Sequence, residues 1–232
     1  MITNLPSNWT KTAIGEVFIV TLGQSPPSST YNDYGEGLPF FQGKAEFGDV
    51  YPVTRKWCVS PKKIAQKGDV LLSVRAPVGP TNIATTKCCI GRGLASIRPL
   101  DGIDNKFILY FFRSVERYLA KRGTGTTFNA ITGDKLRGFP ISLPPLPEQQ
   151  RIVGKIEELF TKLDAGVEAL KQAQSQLKRY RKSVLKAAVE GRLTSKWREQ
   201  RAAQVSKDEL EPAEKLLERI LKERREKWEA EQ

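Results

Sequence analysis

The feature that most constrains the fold is a long stretch of helix-compatible residues between Pro147 and Gly191. It contains no internal proline and only two glycines, and its roughly 44 residues would form about 65 Å of helix at 1.5 Å per residue. Pro147 and Glu148 suit the first helical turn, where a missing amide proton costs nothing and a carboxylate meets the positive end of the helix dipole. Gly191 suits the position just beyond the end. The sequence therefore predicts one helix over residues 147–191.

Apolar residues recur every seven positions along this stretch and define a seam. Its first position holds Ile156, Leu163, Leu170, Leu177 and Val184. Its second position, three residues later, holds Leu159, Gly166, Ala173, Tyr180 and Ala187. One helix cannot bury such a stripe, so we predict a coiled coil with a partner helix. An intramolecular hairpin with a second helical pattern, which runs from Leu210 to Trp228, is the alternative.

Residues 1–146 show the signals of a mixed α/β globular domain. Apolar residues between Trp9 and Val20 predict an opening strand region, and residues 70–74 and 140–143 predict two further strands. Asp104 is placed to cap a helix whose apolar residues follow helical spacing. We predict an α+β fold with three parts: a domain over residues 1–146, the long helix over 147–191 and a charged helical tail over 192–232.

The charge balance favours a nucleic-acid partner. The chain carries 38 lysines and arginines against 26 acidic residues, a formal charge of +12. Residues 1–147 hold 18 of the cations and only 10 of the acidic residues, so the excess is concentrated in the globular part, as in a surface that binds phosphates. Many soluble proteins are also basic without binding nucleic acid.

The composition argues against a self-sufficient enzyme. The chain has no histidine, which removes the commonest general base and the Ser–His and Cys–His nucleophile pairs. A methyltransferase would need a glycine-rich cofactor loop and a nucleobase motif, and Gly91-Arg92-Gly93 lacks the third glycine of such a loop. For a nuclease, the nearest carboxylate–x–lysine is Asp104-Asn105-Lys106, where a helix cap explains Asp104 better. We therefore expect a non-catalytic protein.

Four segments resemble the specificity subunits of type I restriction–modification enzymes. The most specific is PISLPPLPEQQRIV, residues 140–153, which opens the long helix. KSVLKAAVEGRLT at residues 182–194, KGDVLLSVRAPVG at 67–79 and the loop at 125–132 resemble the same family. The resemblance extends over nearly the whole chain.

This resemblance implies a fold and a function. Members of the family carry two target-recognition domains and two conserved helices, which pack antiparallel and hold the domains apart. Each domain reads one half of a split target in double-stranded DNA. The helices dock methyltransferase subunits, and the assembly recruits a restriction and translocation subunit. We expect no cofactor on this chain, and S-adenosylmethionine, ATP and Mg²⁺ on the partner subunits.

The sequence departs from the family pattern because it has one domain and one main helix. It is either a truncated N-terminal half or a natural half-subunit, and a half-subunit should form an antiparallel homodimer. The interface is then expected to include Ile156, Leu159, Leu163, Leu170, Leu177, Tyr180 and Val184.

The candidates for DNA contact are loop residues whose side chains can reach base edges or phosphates. They are Gln24, Ser28, Ser29, Tyr31, Gln42, Lys44, Arg75, Arg92, Arg122, Thr126 and Asn129. Taken singly, each of them is more simply explained as a solvated loop side chain. Arg75 could form a salt bridge beside a strand end, and residues 123–128 could be only a turn.

The remaining expectations concern location and an alternative function. Three cysteines, two of them adjacent, do not suggest a disulfide framework, and neither a secretory signal nor an apolar stretch of membrane-spanning length is visible. We expect a cytoplasmic protein without a membrane partner. The alternative function is a non-catalytic coiled-coil scaffold that binds DNA or RNA without sequence choice.

Overall fold

A computed structural model describes residues 5–122, 130–204 and 212–230. The chain divides into two compact units, residues 1–161 and 162–232. Among the described residues the strands are β1 (Thr10–Ala13), β2 (Phe18–Leu22), β3 (Tyr31–Asn32), β4 (Leu38–Phe41), β5 (Trp57–Cys58), β6 (Ile64–Ala65), β7 (Val70–Ser73), β8 (Thr81–Ile83), β9 (Cys88–Ile90), β10 (Leu94–Pro99) and β11 (Pro140–Leu143). The helices are α1 (Ile14–Val17), α2 (Asn105–Arg122), α3 (Gly133–Arg137), α4 (Leu146–Val189), α5 (Ser195–Gln204) and α6 (Ala213–Ala230). The α+β prediction is confirmed.

The first unit is built on two larger sheets, and strand β7 of one of them lies buried between helix α2 and the other sheet. One sheet has the order β2-β10-β7-β8 and the other has the order β3-β5-β4-β9-β6. Val70 and Leu72 pack toward helix α2, whereas Leu71 packs toward the second sheet. Both faces of β7 are therefore covered, which explains its three consecutive apolar residues, Val70 to Leu72.

The opening strand region differs from the sequence prediction because a helical turn divides it. Strand β1 pairs with β11, whereas β2 pairs with β10 in the four-stranded sheet. Helix α1 lies between them, and its first residue, Ile14, is completely buried and donates its amide proton to Phe139 O (2.9 Å). The turn moves the chain from one sheet to another while keeping Ile14 in the core.

The turn before β7 is held by the buried carboxylate of Asp69. Its Oδ2 accepts hydrogen bonds from the Gln66 amide (2.9 Å) and the Ser96 hydroxyl (2.5 Å). Arg98 Nε donates to Oδ1 at 2.9 Å, and this bond raises the pKa of the guanidinium. Burial is tolerated because the carboxylate is both paired and hydrogen-bonded.

Asp104 caps helix α2, as its position in the sequence predicts. Its Oδ1 accepts from the amides of Lys106 (2.8 Å) and Phe107 (2.9 Å). The capped helix buries Ile108 and Phe112 against the core.

Glu148 and Gln149 of the helix-opening motif fasten the start of α4 to the rest of the first unit. Glu148 accepts from Asn8 Nδ2 (2.8 Å) and from the Trp9 indole (3.0 Å). Gln149 is 2% exposed, and its amide accepts from Asp104 N (2.8 Å) and donates to Pro144 O (2.9 Å). These contacts fix where the helix leaves the domain.

The second unit contains the remainder of α4, a one-turn 3-10 helix at Arg192–Thr194, α5 and α6. Helix α4 ends at Val189, and Gly191 adopts a left-handed φ of 71°, so the predicted stop is confirmed. Within residues 162–204 and 212–230 the tail does not cover the seam, so the alternative hairpin is not formed there. Leu170 remains 72% exposed, and Leu217 and Trp228 of α6 are also exposed.

Candidate nucleic-acid interface

The ends of β4 and β9 bring Gln42 and Arg92 together. These strands are parallel, with Phe40 beside Cys89 and Phe41 beside Ile90, so both run toward the same edge of the sheet. The Gly91 amide donates to Phe41 O at 2.8 Å. Gln42 and Arg92, which follow directly, are both exposed. We call this region the reading edge: the loops that follow β2, β4, β7 and β9.

Strand β2 delivers Gln24 to the same edge. The Gly23 amide donates to Leu94 O (2.8 Å), and the Gln24 amide donates to Ile90 O (3.0 Å). Ser25 Oγ then accepts from the Arg92 amide at 3.2 Å. Gln24 therefore lies beside the loop that carries Arg92, although the two residues are far apart in the chain.

Strand β7 adds Arg75. The Val74 amide donates to Gly93 O (2.9 Å), so the end of β7 lies against the start of β10. The Ser73 hydroxyl donates to Pro77 O (2.8 Å) and lies 3.1 Å from Arg75 O, which shapes the loop. Arg75 is exposed and forms no ion pair with any residue in the described part of the chain. The salt bridge considered for it is therefore not present there.

The close packing of these loops depends on glycine. A Cβ atom at Gly93 would clash with the Gln42 carbonyl oxygen, and one at Gly23 would clash with the Gly91 carbonyl. Glycine at these positions lets the backbones carrying Gln24, Gln42 and Arg92 approach one another. The Gly91-Arg92-Gly93 sequence is thus a packing feature of the reading edge.

The next four candidates lie in the loop before β3, at the first residue of β3 and in the turn after β4. The Tyr31 hydroxyl donates to Pro26 O (2.7 Å), and its ring stacks on Phe40 with centroids 4.5 Å apart. Burial raises the pKa of Tyr31. Ser28 and Ser29 are exposed in a one-turn 3-10 helix, and Lys44 is exposed at the start of another. Of these four, Tyr31 has its polar atom engaged within the domain.

Three candidates are not described by the structure at side-chain level. Arg122 is the last residue of α2, and its side chain lies outside the described part. Thr126 and Asn129 lie outside the described residues altogether. Their assignment to DNA contact stays a prediction.

Sequence reasoning missed two pairs of adjacent cations beside the reading edge, Arg55–Lys56 and Lys62–Lys63. Each pair precedes a two-residue strand, β5 or β6, that is antiparallel to its neighbour. A strand of this length has no readable periodicity, so its direction in the sheet could not be inferred. Adjacent cations before a short apolar pair were the only available signal.

The predicted coiled-coil seam of α4 is largely uncovered. Ile156 and Val184 are half-buried, whereas five other seam residues are exposed among the described residues. These five are Leu159, Leu163, Leu170, Leu177 and Tyr180, with exposed fractions between 51% and 72%. An apolar stripe of this length is characteristic of a surface that a partner covers.

The chain is similar to known specificity subunits along most of its length. A family model described as the type I restriction modification DNA specificity domain matches residues 6–179. A Methanocaldococcus jannaschii protein assigned as the MjaX type I restriction enzyme specificity subunit is 38% identical over 195 residues, covering 83% of this chain and 45% of that protein. The EcoDI specificity subunit of Escherichia coli is 25% identical over 196 residues, covering 84% of this chain and 41% of that protein.

A solved structure of a specificity subunit is also similar to this chain. The HsdS subunit from Thermoanaerobacter tengcongensis is 48% identical and superposes with a TM-score of 0.67, covering 80% of this chain and 46% of that subunit. This chain therefore spans about half the length of the relatives it matches. The relatives are specificity subunits, which agrees with the expectation that the chain is not itself an enzyme. No helix in the described ranges is long and apolar enough to cross a membrane. Because the family model covers well over half of the sequence, the chain belongs to the type I restriction–modification DNA specificity family.

Proposed function

We propose that the first unit reads one half of a bipartite target in double-stranded DNA through its reading edge. The observation that carries this is the convergence of Gln24, Gln42, Arg75 and Arg92, all exposed, from four separate strands. Arginine pairs bidentately with guanine and glutamine with adenine in the major groove, at about 1–3 kcal/mol of discrimination for each good pair. Four such side chains on one rigid edge suit a short half-site.

The chain then supplies sequence choice rather than chemistry. We place DNA methylation, with S-adenosylmethionine, on methyltransferase subunits, and translocation and cleavage, with ATP and Mg²⁺, on a restriction subunit. Membership in a family of specificity subunits supports this division. All three cysteines are free and buried, which suits the cytoplasm as the proposed location.

The exposed seam of α4 would be covered by a like helix in antiparallel orientation. Residues 146–168 contain five acidic and three basic residues, whereas residues 169–189 contain six basic residues and no acidic residue. Antiparallel pairing sets the acidic half of each helix against the basic half of the other, and parallel pairing sets like charges together. The like helix belongs to a second copy if the chain is a half-subunit, or to the missing half if the chain is part of a longer protein. The completed spacer also docks the methyltransferase and restriction subunits.

A test separates base reading from spacing. In cells that also carry the partner methyltransferase, we expect Arg92→Ala and Gln42→Ala to change or relax the methylated bases without changing the gap between half-sites. Lys87→Ala, at the opposite end of β9, is the matched control and should change neither. Deleting residues 169–175, one heptad, shortens the helix by about 10 Å, or roughly three base pairs, and should narrow only the gap. Methylome sequencing in which the deletion altered the bases would contradict the proposal.

The alternative is a scaffold that binds DNA or RNA without sequence choice, for which the +12 charge would suffice. Competition at fixed salt decides between the two. A duplex that carries the methylated sequence should displace the chain far better than a random duplex or an RNA of equal length. Equal displacement by all three would favour the scaffold.

A further inference from the structure

The first cation pair lies on one side of the reading residues within the five-stranded sheet. Strand β5 runs antiparallel to β4, with Cys58 opposite Leu38 and Trp57 opposite Pro39. The Phe40 amide donates to Lys56 O at 2.8 Å. Lys56, and Arg55 before it, therefore lie at the end of β4 from which Gln42 leaves.

The second pair lies on the other side. Strand β6 runs antiparallel to β9, with Ile64 opposite Cys89. The Ile90 amide donates to Lys63 O at 3.0 Å. Lys63, and Lys62 before it, therefore lie at the end of β9 from which Arg92 leaves.

The spacing of the two pairs matches the width of a DNA groove. The strand order β5-β4-β9-β6 separates them by three interstrand steps, or about 14 Å at roughly 4.8 Å per step. The major groove of B-DNA is about 12 Å wide and is bordered by a phosphate backbone on each side. Gln42 and Arg92 follow the two central strands, β4 and β9, whereas the cation pairs precede the two outer strands, β5 and β6.

The side chains of the four cations are available to contact DNA phosphates. Arg55, Lys56, Lys62 and Lys63 are exposed and form no ion pair with any residue that the structure describes. The Glu46 carboxylate at this edge is engaged, because it accepts from the amides of Gln42 and Gly43. Asp33, which follows β3 beside β5, is exposed and partly offsets the Arg55–Lys56 pair.

We propose that Arg55–Lys56 and Lys62–Lys63 are the phosphate anchors that hold the reading edge in the major groove, one pair on each backbone. This rests on the proposed function and adds how the domain is seated. Phosphate contacts fix register and orientation but carry no sequence information, whereas base contacts specify. The anchors should therefore set the salt dependence of binding and leave the choice of bases to Gln42 and Arg92.

The test compares two double variants, Arg55→Gln/Lys56→Gln and Lys62→Gln/Lys63→Gln, in the full chain. The control, Lys67→Gln/Lys87→Gln, removes the same charge from exposed side chains at the opposite end of β6 and β9. Fluorescein-labelled duplexes are titrated between 50 and 200 mM salt, one of random sequence and one enriched by the wild-type chain from a randomised pool.

Each phosphate contact contributes about −0.9 to the slope of log affinity against log salt. Each anchor variant loses two such contacts, so its slope should be flatter by about 1.8. Between 50 and 200 mM salt the affinity of wild type should then fall by a factor about 12 times larger than the factor for either anchor variant. The control should keep the wild-type slope, and all three variants should enrich the wild-type sequence.

The outcomes separate the two proposals. If wild type enriches one sequence but the anchor variants keep the wild-type slope, the anchor proposal is overturned and the proposed function stands. If no sequence is enriched but the anchor variants flatten the slope on random duplex while the control does not, the anchors stand and sequence reading by this chain is overturned. If the anchor variants change the enriched sequence, the pairs act as base readers and the anchor proposal is wrong. If wild type binds no duplex at 50 mM salt, both proposals fail.

Discussion

Replacing Gln149 with alanine should be among the most destabilising single changes at the start of α4. The side chain is 2% exposed and bonds to Asp104 N (2.8 Å) and Pro144 O (2.9 Å), with a longer bond to Gly102 O (3.3 Å). Pro144 is buried and Asp104 half-buried, so alanine leaves two poorly hydrated backbone groups without partners, at about 1–2 kcal/mol each. The lost methylene and the cavity add about 1 kcal/mol. We expect the free energy of unfolding to fall by about 3–5 kcal/mol.

The neighbouring residue provides a matched control. Gln150 is exposed, so Gln150→Ala removes the same atoms and should change the free energy of unfolding by less than about 0.5 kcal/mol. The assay is urea denaturation followed by tryptophan fluorescence, with Trp197 and Trp228 of the second unit replaced by phenylalanine so that Trp9 and Trp57 report on the first unit. If Gln149→Ala and Gln150→Ala unfold at the same urea concentration, the reasoning that this motif fastens the helix to the domain is refuted.

Three further predictions follow from contacts elsewhere in the chain. Asp69→Asn should lower the free energy of unfolding by about 2 kcal/mol in urea denaturation, because the amide cannot replace a charge-assisted acceptor of several bonds; wild-type stability would contradict this. Burial raises the pKa of the Cys88 thiol from 9.0 to about 12, so its contribution to stability is complete below pH 9 and is lost as the pH rises through 9 toward 12. Between pH 7.5 and 10.5 the free energy of unfolding of wild type should fall by about 2 kcal/mol more than that of Cys88→Ala. Equal losses in the two proteins would exclude the effect. Replacing both Leu163 and Leu170 with aspartate should convert a dimer to a monomer in sedimentation without loss of the chain's folded circular dichroism. A wild-type chain that is already monomeric at micromolar concentration would contradict the homodimer.

Features governed by local backbone geometry were predictable from the sequence. The seven-residue repeat, the absence of proline and the bounding Pro147 and Gly191 predicted a helix that the structure places at Leu146–Val189. Asp104 was predictable as a cap because its hydrogen bonds reach only two and three residues along the chain. The β-rich run at residues 70–74 likewise predicted a strand, which the structure has at β7, Val70–Ser73. The family motif was also readable, but not the structural task of Glu148 and Gln149 within it.

The sequence by itself therefore determined the α+β class, the long helix, its seam and the residue types that a base-reading surface needs. Only the tertiary structure decided which of those residues meet. Gln42 and Arg92 adjoin because β4 and β9 pair in parallel, and the cation pairs flank them because β5 and β6 run the other way. Strands of two to four residues leave no periodic signal, and their pairing is set by contacts among residues distant in the chain. Helix periodicity depends on residues that are close together in the chain. The reading edge, in contrast, forms only when the core that joins Leu71, Ile90 and Leu94 has formed.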